Sequence, residues 1–225
     1  TIETNKFSPG WIGIQVEDKE GRVTEIPVFL DYNIELSGIV FVESTDTLLA
    51  YNPAYQSHNI PNYYHKNLDK TGSNLVPKNT PITYSQLDSR NIENISCTDH
   101  LINSDAIHKQ NLASWNIQFM TVSDEALDDI NAFENIEYLI FGTHNEYWTA
   151  DKAVNVMKFI DAGGKVLFLG GNTAWRQVFR ETGRTWFHGD SLNNEPEFKT
   201  LITKYLGAYY DSGDYDTYAP FNLVN

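Results

Sequence analysis

Four short, mainly apolar runs, each followed by glycine or polar residues, constrain the fold of this chain most strongly. They cover residues 38–42, 117–122, 136–141 and 165–169. The run at 38–42 is continuously apolar, which is typical of parallel strands that are buried on both faces. The run at 136–141 is followed by a helical pattern over 149–162, and its apolar positions are Ala153, Val156, Met157 and Ile160. Strands that alternate with helices predict an α/β fold with a doubly wound, mainly parallel sheet.

The first part of the chain has a different pattern. Two β-rich runs at 11–16 and 24–30 flank a charged turn at 18–22, which predicts a β-hairpin. We therefore expect an N-terminal β-hairpin segment over 1–35 and one α/β domain over 36–225.

Three further elements can be read from local patterns. Residues 99–113 form a helix candidate, and Ser123 is a candidate N-cap for a helix through Phe133. The segment 51–87 is rich in Asn, Pro, Tyr and Ser without clear periodicity, so we expect a long loop or a set of turns, with a short strand at 82–87.

Charge and cysteine content exclude several classes of function. The chain has 30 acidic and 16 basic residues and a formal net charge of −14, which repels phosphate backbones and anionic lipids, so we expect neither nucleic acid nor a membrane as partner. Cys97 is the single cysteine, which rules out an intrachain disulfide or a cysteine-based zinc site. The compartment stays open between the cytoplasm and a processed secreted form, because the sequence begins at Thr1.

The loop after the third run carries the strongest chemical signal. His144, Asn145 and Glu146 follow the run directly, and such loops lie at the carboxyl ends of parallel strands, where ligands bind. Two other loops, 43–51 and 170–176, should converge on the same edge. Glycines at 170 and 171 would let the backbone approach a ligand closely, although no dinucleotide or P-loop motif is present.

Nucleophilic catalysis does not fit this loop. An amidotransferase or an α/β-hydrolase would place cysteine or serine where this chain has Thr143 to Glu146. The carboxylate, the histidine and nearby tyrosines suit a metal such as iron, manganese or zinc. The competing interpretation is that His144 and Glu146 only cap and solvate the turn.

The residues resemble the C-terminal region of the large (beta) subunit of N,N-dimethylformamidase and its relatives. Those proteins carry Gly-His-Asp-Glu-Tyr-Trp-Ser after a strand, and later Gly-Gly-Asn followed by Trp-Arg. The corresponding segments of this chain are Gly142–Thr149, Gly170–Asn172, Trp175–Arg176, Trp115–Thr121 and Ala50–Asn52. The resemblance implies a glutamine amidotransferase-like three-layer sandwich and amide hydrolysis at a mononuclear iron held by two tyrosines and a glutamate.

The resemblance assigns the ligands residue by residue. Glu146 takes the role of the glutamate and Tyr51 that of one tyrosine. The segment that should supply the second tyrosine ends in Asp88 here, so Asp88 or Tyr84 would supply the remaining oxygen.

The resulting hypothesis is an N,N-dimethylformamidase-like, metal-dependent hydrolase of a small amide. The catalytic candidates are His144, which would move the proton, Glu146 and Asn145, and the substrate-binding candidates are Asn172, Trp148 and Trp175. We expect an oligomer or further domains of a longer chain as partners. The alternative is a catalytically inactive binding or assembly module that retains the fold.

Overall fold

The computed structural model describes residues 10–30, 35–50, 73–77, 104–171, 173–181, 184–188, 200 and 202–204. The helices and strands are, in chain order, β1 (Gly10–Glu17), β2 (Val23–Leu30), β3 (Ser37–Glu43), α1 (Thr45–Ala50), β4 (Ser73–Pro77), α2 (Ser104–Ser114), β5 (Met120–Ser123), β6 (Asn135–Phe141), β7 (Tyr147–Trp148), α3 (Ala150–Asp161), β8 (Lys165–Phe168), β9 (Arg176–Glu181) and β10 (Arg184–His188).

The predicted hairpin is confirmed. Strands β1 and β2 pair antiparallel along their whole length. The Asp18 side chain accepts hydrogen bonds from the backbone amides of Glu20 and Arg22, each 2.9 Å long, and so closes the turn.

The predicted parallel sheet is also confirmed, with the strand order β5-β3-β6-β8. All four apolar runs contribute a strand to it. Strand β5 begins at Met120 rather than at 117, because the preceding residues end α2. Asn116 has a left-handed backbone (φ 57°), and the Ile117 amide donates to the Leu112 carbonyl at 3.0 Å.

Helices cover the two faces of this sheet. Val40 and Leu139 point to one face, where they pack with Val156 and Met157 of α3 in the main hydrophobic core. Phe41 points to the opposite face, because successive strand residues alternate in direction. The Lys109 ammonium group of α2 lies 5.6 Å from the Phe41 ring centroid.

Helix α3 begins and ends as the sequence predicts. The Thr149 side chain caps its N-terminus by accepting a 3.0 Å hydrogen bond from the Lys152 amide. Gly163 ends it with a φ of 95°, which a side chain would strain. Helix α2 overlaps the predicted helix at 99–113, whose first five residues lie outside the described ranges. No helix in the described ranges has the length and apolarity to cross a membrane.

The prediction of one continuous helix from Ser123 through Phe133 is wrong. The segment forms two short 3-10 helices, Asp124–Asp128 and Ile130–Phe133, separated by an extended Asp129. The Asn155 side chain of α3 donates to the carbonyls of Leu127 and Asp128 at 3.1 and 3.0 Å. These tertiary bonds occupy carbonyls that a continuous α-helix would use internally.

A second, mixed sheet was not predicted. Its strand order is β4-β10-β9-β7, and β7 pairs parallel with β9 while β10 pairs antiparallel with β4 and β9. Strand β4 lies inside the segment 51–87, where we expected only loop and a strand at 82–87; the latter is outside the described residues. Five-residue strands such as β4 lack a readable periodicity, so their pairing decides their structure.

Candidate active site

The described loops after the strands of the parallel sheet meet at its carboxyl edge. The loop 142–146 leaves β6 there and enters β7 of the mixed sheet, so it joins the two sheets. Gly170, just after β8, packs directly on this loop, since a Cβ at that position would lie 2.6 Å from the His144 nitrogen. We predicted that the glycines would let the backbone approach a ligand closely. At Gly170 the backbone instead approaches the neighbouring loop 142–146.

Hydrogen bonds fix the backbone of the loop on several sides. The Thr143 amide donates to Asp105 Oδ1 at 2.6 Å, and the Glu146 amide donates to Thr47 Oγ1 at 3.0 Å. The Asn145 and Glu146 carbonyls accept bonds of 3.0 Å from backbone amides at 174 and 176. Between these bonds His144 has a φ of 54°, a region that residues other than glycine seldom occupy and that often marks a functional position.

His144 and Glu146 differ in exposure. The Glu146 side chain is wholly buried (0% exposed), whereas His144 is half-buried. Glu146 is thus held inside the carboxyl edge, where its amide is bonded to Thr47 of α1. Tyr51 follows α1 in sequence; together with Tyr84, Asp88 and Asn172 it lies outside the described residues. Their roles stay predictions.

Asn145 supports the loop from within. Its amide group donates to Ser44 Oγ and Asp124 Oδ1, both at 3.1 Å, and its oxygen accepts from Lys152 Nζ at 2.7 Å and from the Trp148 indole. These contacts hold the loop on the residue that follows β3, on the 3-10 segment and on α3. A catalytic role for Asn145 stays a prediction.

The two tryptophans proposed for substrate binding lie in different environments. Trp148 is in the core, with its ring centroid 5.1 Å from that of Phe141 and its indole nitrogen donating to the Asn145 carbonyl at 2.9 Å. Trp175 is half-buried, and the Arg176 guanidinium lies 4.1 Å from its ring centroid. Substrate contacts for either residue stay predictions.

A buried network of charges lies behind the loop on the α3 side. Lys152 is fully buried, pairs with Asp124, and places its ammonium group 4.5 Å from the Trp148 ring centroid. Arg180 of β9 binds both carboxylate oxygens of Asp46 at 2.9 and 2.6 Å, and its Nε donates to Asp128. The network joins α1, the 3-10 segment, α3 and β9.

Burial shifts the pKa values of two groups in this network. It raises the pKa of Asp46 to about 6, although the adjacent Arg180 opposes the shift. It also lowers the pKa of Lys152, against the attraction of Asp124. Sequence analysis did not identify these residues, but Lys152 carried a signal, since it precedes Val156 by four residues on the apolar face of the helix. Arg180 carried none, because β9 itself was not predicted.

A second cluster lies on the α2 side of the loop. Glu43 is buried at the end of β3, pairs with Lys109, and accepts a 3.1 Å hydrogen bond from the Trp11 indole of the hairpin. Asp105 is 2% exposed, and burial raises its pKa to about 7. The sequence placed Glu43 in the loop 43–51 at this edge but did not indicate its partners, and the burial of Asp105 was not indicated because α2 shows no strong amphipathic pattern.

The donor chemistry of the site can be compared with the iron that the resemblance implies. Within the described ranges, no three His, Cys, Asp or Glu side chains are grouped so that they could hold a metal. A metal at this edge would therefore depend on Glu146 together with the oxygens predicted in 51–88. A buried carboxylate with phenolate or carboxylate oxygens is a donor set that suits iron, so the residues are compatible with that metal.

Comparison with known proteins identifies a family. No curated protein matches the chain significantly. The family described as N,N-dimethylformamidase beta subunit-like, C-terminal matches residues 1–197, which include both sheets and the loop 142–146. The chain therefore belongs to the N,N-dimethylformamidase beta subunit-like, C-terminal family.

Proposed function

We propose that the chain hydrolyses a small amide at a mononuclear iron bound by Glu146. The observation that carries the proposal is the buried Glu146 carboxylate, fixed by its own backbone bonds at the carboxyl edge of a parallel sheet in a dimethylformamidase-like family. Tyr51 and either Asp88 or Tyr84 complete the proposed donor set.

The chemistry that the metal supplies when bound is Lewis acidity, which polarises an amide carbonyl and lowers the pKa of a bound water. The chain itself supplies the position and the environment. Glu146 is shielded from bulk water, and in such an environment electrostatic interactions are stronger than in solvent.

His144 is the proposed proton carrier. It is half-buried and lies two residues before Glu146 on a backbone whose neighbouring peptides are hydrogen-bonded. Such preorganisation places an acid–base group beside the reacting bond without a further loss of entropy during the reaction. The imidazole would accept a proton from the attacking water and return it to the leaving amine.

A Glu146→Gln variant tests the ligand assignment, because glutamine keeps the size of the side chain and removes its charge. We expect loss of stoichiometric iron, measured by elemental analysis after reconstitution, and loss of small-amide hydrolysis. Glu137→Gln is the matched control: Glu137 is exposed on β6, and its variant should keep both properties. Unchanged iron content in Glu146→Gln would refute the ligand assignment.

The same measurements on the unaltered protein distinguish the hydrolase from the alternative, a catalytically inactive binding or assembly module. A binding or assembly module that retains the fold would show neither stoichiometric iron nor amide hydrolysis after reconstitution. Detection of both in the unaltered protein, with loss of both in Glu146→Gln, is the result that we expect.

A further inference from the structure

Helix α2 has one buried side chain, and it is a carboxylate. Of the eleven residues of α2 only Asp105 is buried, and Asp105 Oδ1 accepts the Thr143 amide at 2.6 Å. The contact is tight, because a Cβ on Gly142 would overlap the Asp105 carboxyl group. The sequence thus has glycine where the carboxylate meets the start of the loop.

An aspartate is a costly residue at this position. Burial of a carboxyl group is unfavourable unless hydrogen bonds compensate for it, and packing alone would be served by an apolar side chain. The nearby cation does not explain the aspartate either, since Lys109 is paired with Glu43. What distinguishes the contact is its target, the backbone amide of Thr143, the residue immediately before His144.

We propose that Asp105 is a positioning residue, which anchors the Thr143 peptide and thereby fixes the left-handed backbone and the direction of His144. The inference rests on the proposed function, because the loop it concerns is the one assigned to catalysis. Asp105 acts through the backbone and is not placed in contact with substrate.

The anchor depends on pH. Burial raises the pKa of Asp105 to about 7, and the charged groups that face it are Glu43 of β3, which raises the pKa further, and Lys109 of α2, which lowers it. An ionised carboxylate accepts a stronger hydrogen bond than a neutral acid. The Thr143 amide should therefore be held more tightly as the pH rises through about 7.

Amide NMR of the full chain tests the anchor without any need for activity. In the unaltered protein the Thr143 amide proton should shift with a midpoint near pH 7. In Asp105→Asn, which keeps an acceptor oxygen but cannot ionise, that shift should be absent. Asp151→Asn is the matched control, because Asp151 also lies in the first turn of a helix, α3, but is exposed. In that variant the Thr143 amide should shift with pH as it does in the unaltered protein.

Kinetics provide the second readout. If the chain hydrolyses amides, Asp105→Asn should lower kcat by about 10- to 100-fold, as expected for a residue that orients an active-site group, with KM nearly unchanged. It should also remove from the pH profile the component that follows the ionisation of Asp105 near pH 7.

The NMR and kinetic measurements test different proposals. Absence of hydrolysis in the unaltered protein would reject the proposed function and leave the NMR result to decide on the anchor. A Thr143 amide that does not titrate, or that titrates equally in Asp105→Asn, overturns the inference.

Discussion

At the level of single residues, the loop depends on a backbone contact that only glycine permits. A side chain at Gly170 would meet the His144 nitrogen at 2.6 Å and the Thr143 Cα at 2.9 Å. Both atoms belong to the backbone, which cannot rotate away. The loops after β6 and β8 are therefore coupled through one position.

Gly170→Ala should separate these loops. We expect a loss of about 1–3 kcal/mol in the free energy of unfolding, as for other overpacked positions, together with weaker iron binding. Urea denaturation and elemental analysis measure the two effects. Gly171→Ala is the neighbouring control, because a Cβ at Gly171 would meet no atom within 4 Å. Equal destabilisation of the two variants would show that the contact at Gly170 is not the cause.

At the level of elements, buried charges join parts of the chain that are distant in sequence. Arg180 of β9 and Asp46 of α1 are separated by 134 positions, and Lys152 reaches Asp124 across 28. A buried ion pair adds little stability over an apolar pair of similar volume, but removal of one partner leaves an uncompensated charge. We therefore expect the network to favour the observed arrangement of these elements over others.

Lys152→Met should destabilise the fold by about 3–5 kcal/mol, because Asp124 would remain charged and buried without its cation. Equilibrium urea unfolding measures the loss. Lys158→Met, at an exposed position on the same helix, should change stability by about 1 kcal/mol or less. The double variant Lys152→Met/Asp124→Asn should recover part of the loss, and a double variant as unstable as the sum of its parts would contradict this explanation.

At the level of the whole molecule, two buried acids link stability to pH. The pKa values of Asp46 and Asp105 are raised from 3.8 to about 6 and about 7, so the folded chain binds these protons more tightly than the unfolded chain. Their contribution to stability is complete below about pH 4 and is lost as the pH rises through 6 and 7.

The free energy of unfolding, measured at constant ionic strength, should therefore carry a component that falls between about pH 4 and pH 7. Asp105→Asn isolates that component, because the variant lacks the group whose pKa is about 7. The difference in stability between the two proteins should change with pH in this window. A constant difference would mean that the burial of Asp105 does not alter its proton affinity.

Local sequence patterns were sufficient to predict the elements whose spacing of apolar and polar residues shows which side is buried. Four mainly apolar runs predicted the strands of the parallel sheet, and the helical spacing of apolar residues over 149–162 predicted α3. The order of residues around His144 and Glu146 was sufficient for the family, and the strand before them placed the loop at the carboxyl edge. These features are encoded within short stretches of chain, where side-chain periodicity and caps act.

The remaining features of the fold and of the site were decided only by the tertiary structure. The 3-10 geometry after Ser123 follows from hydrogen bonds with Asn155, and the second sheet follows from pairing between strands that are far apart in sequence. The partners of Asp105 and Arg180 lie 38 and 134 residues away. The free energy of such contacts depends on desolvation and geometry that exist only when the chain is folded, so no local pattern specifies them.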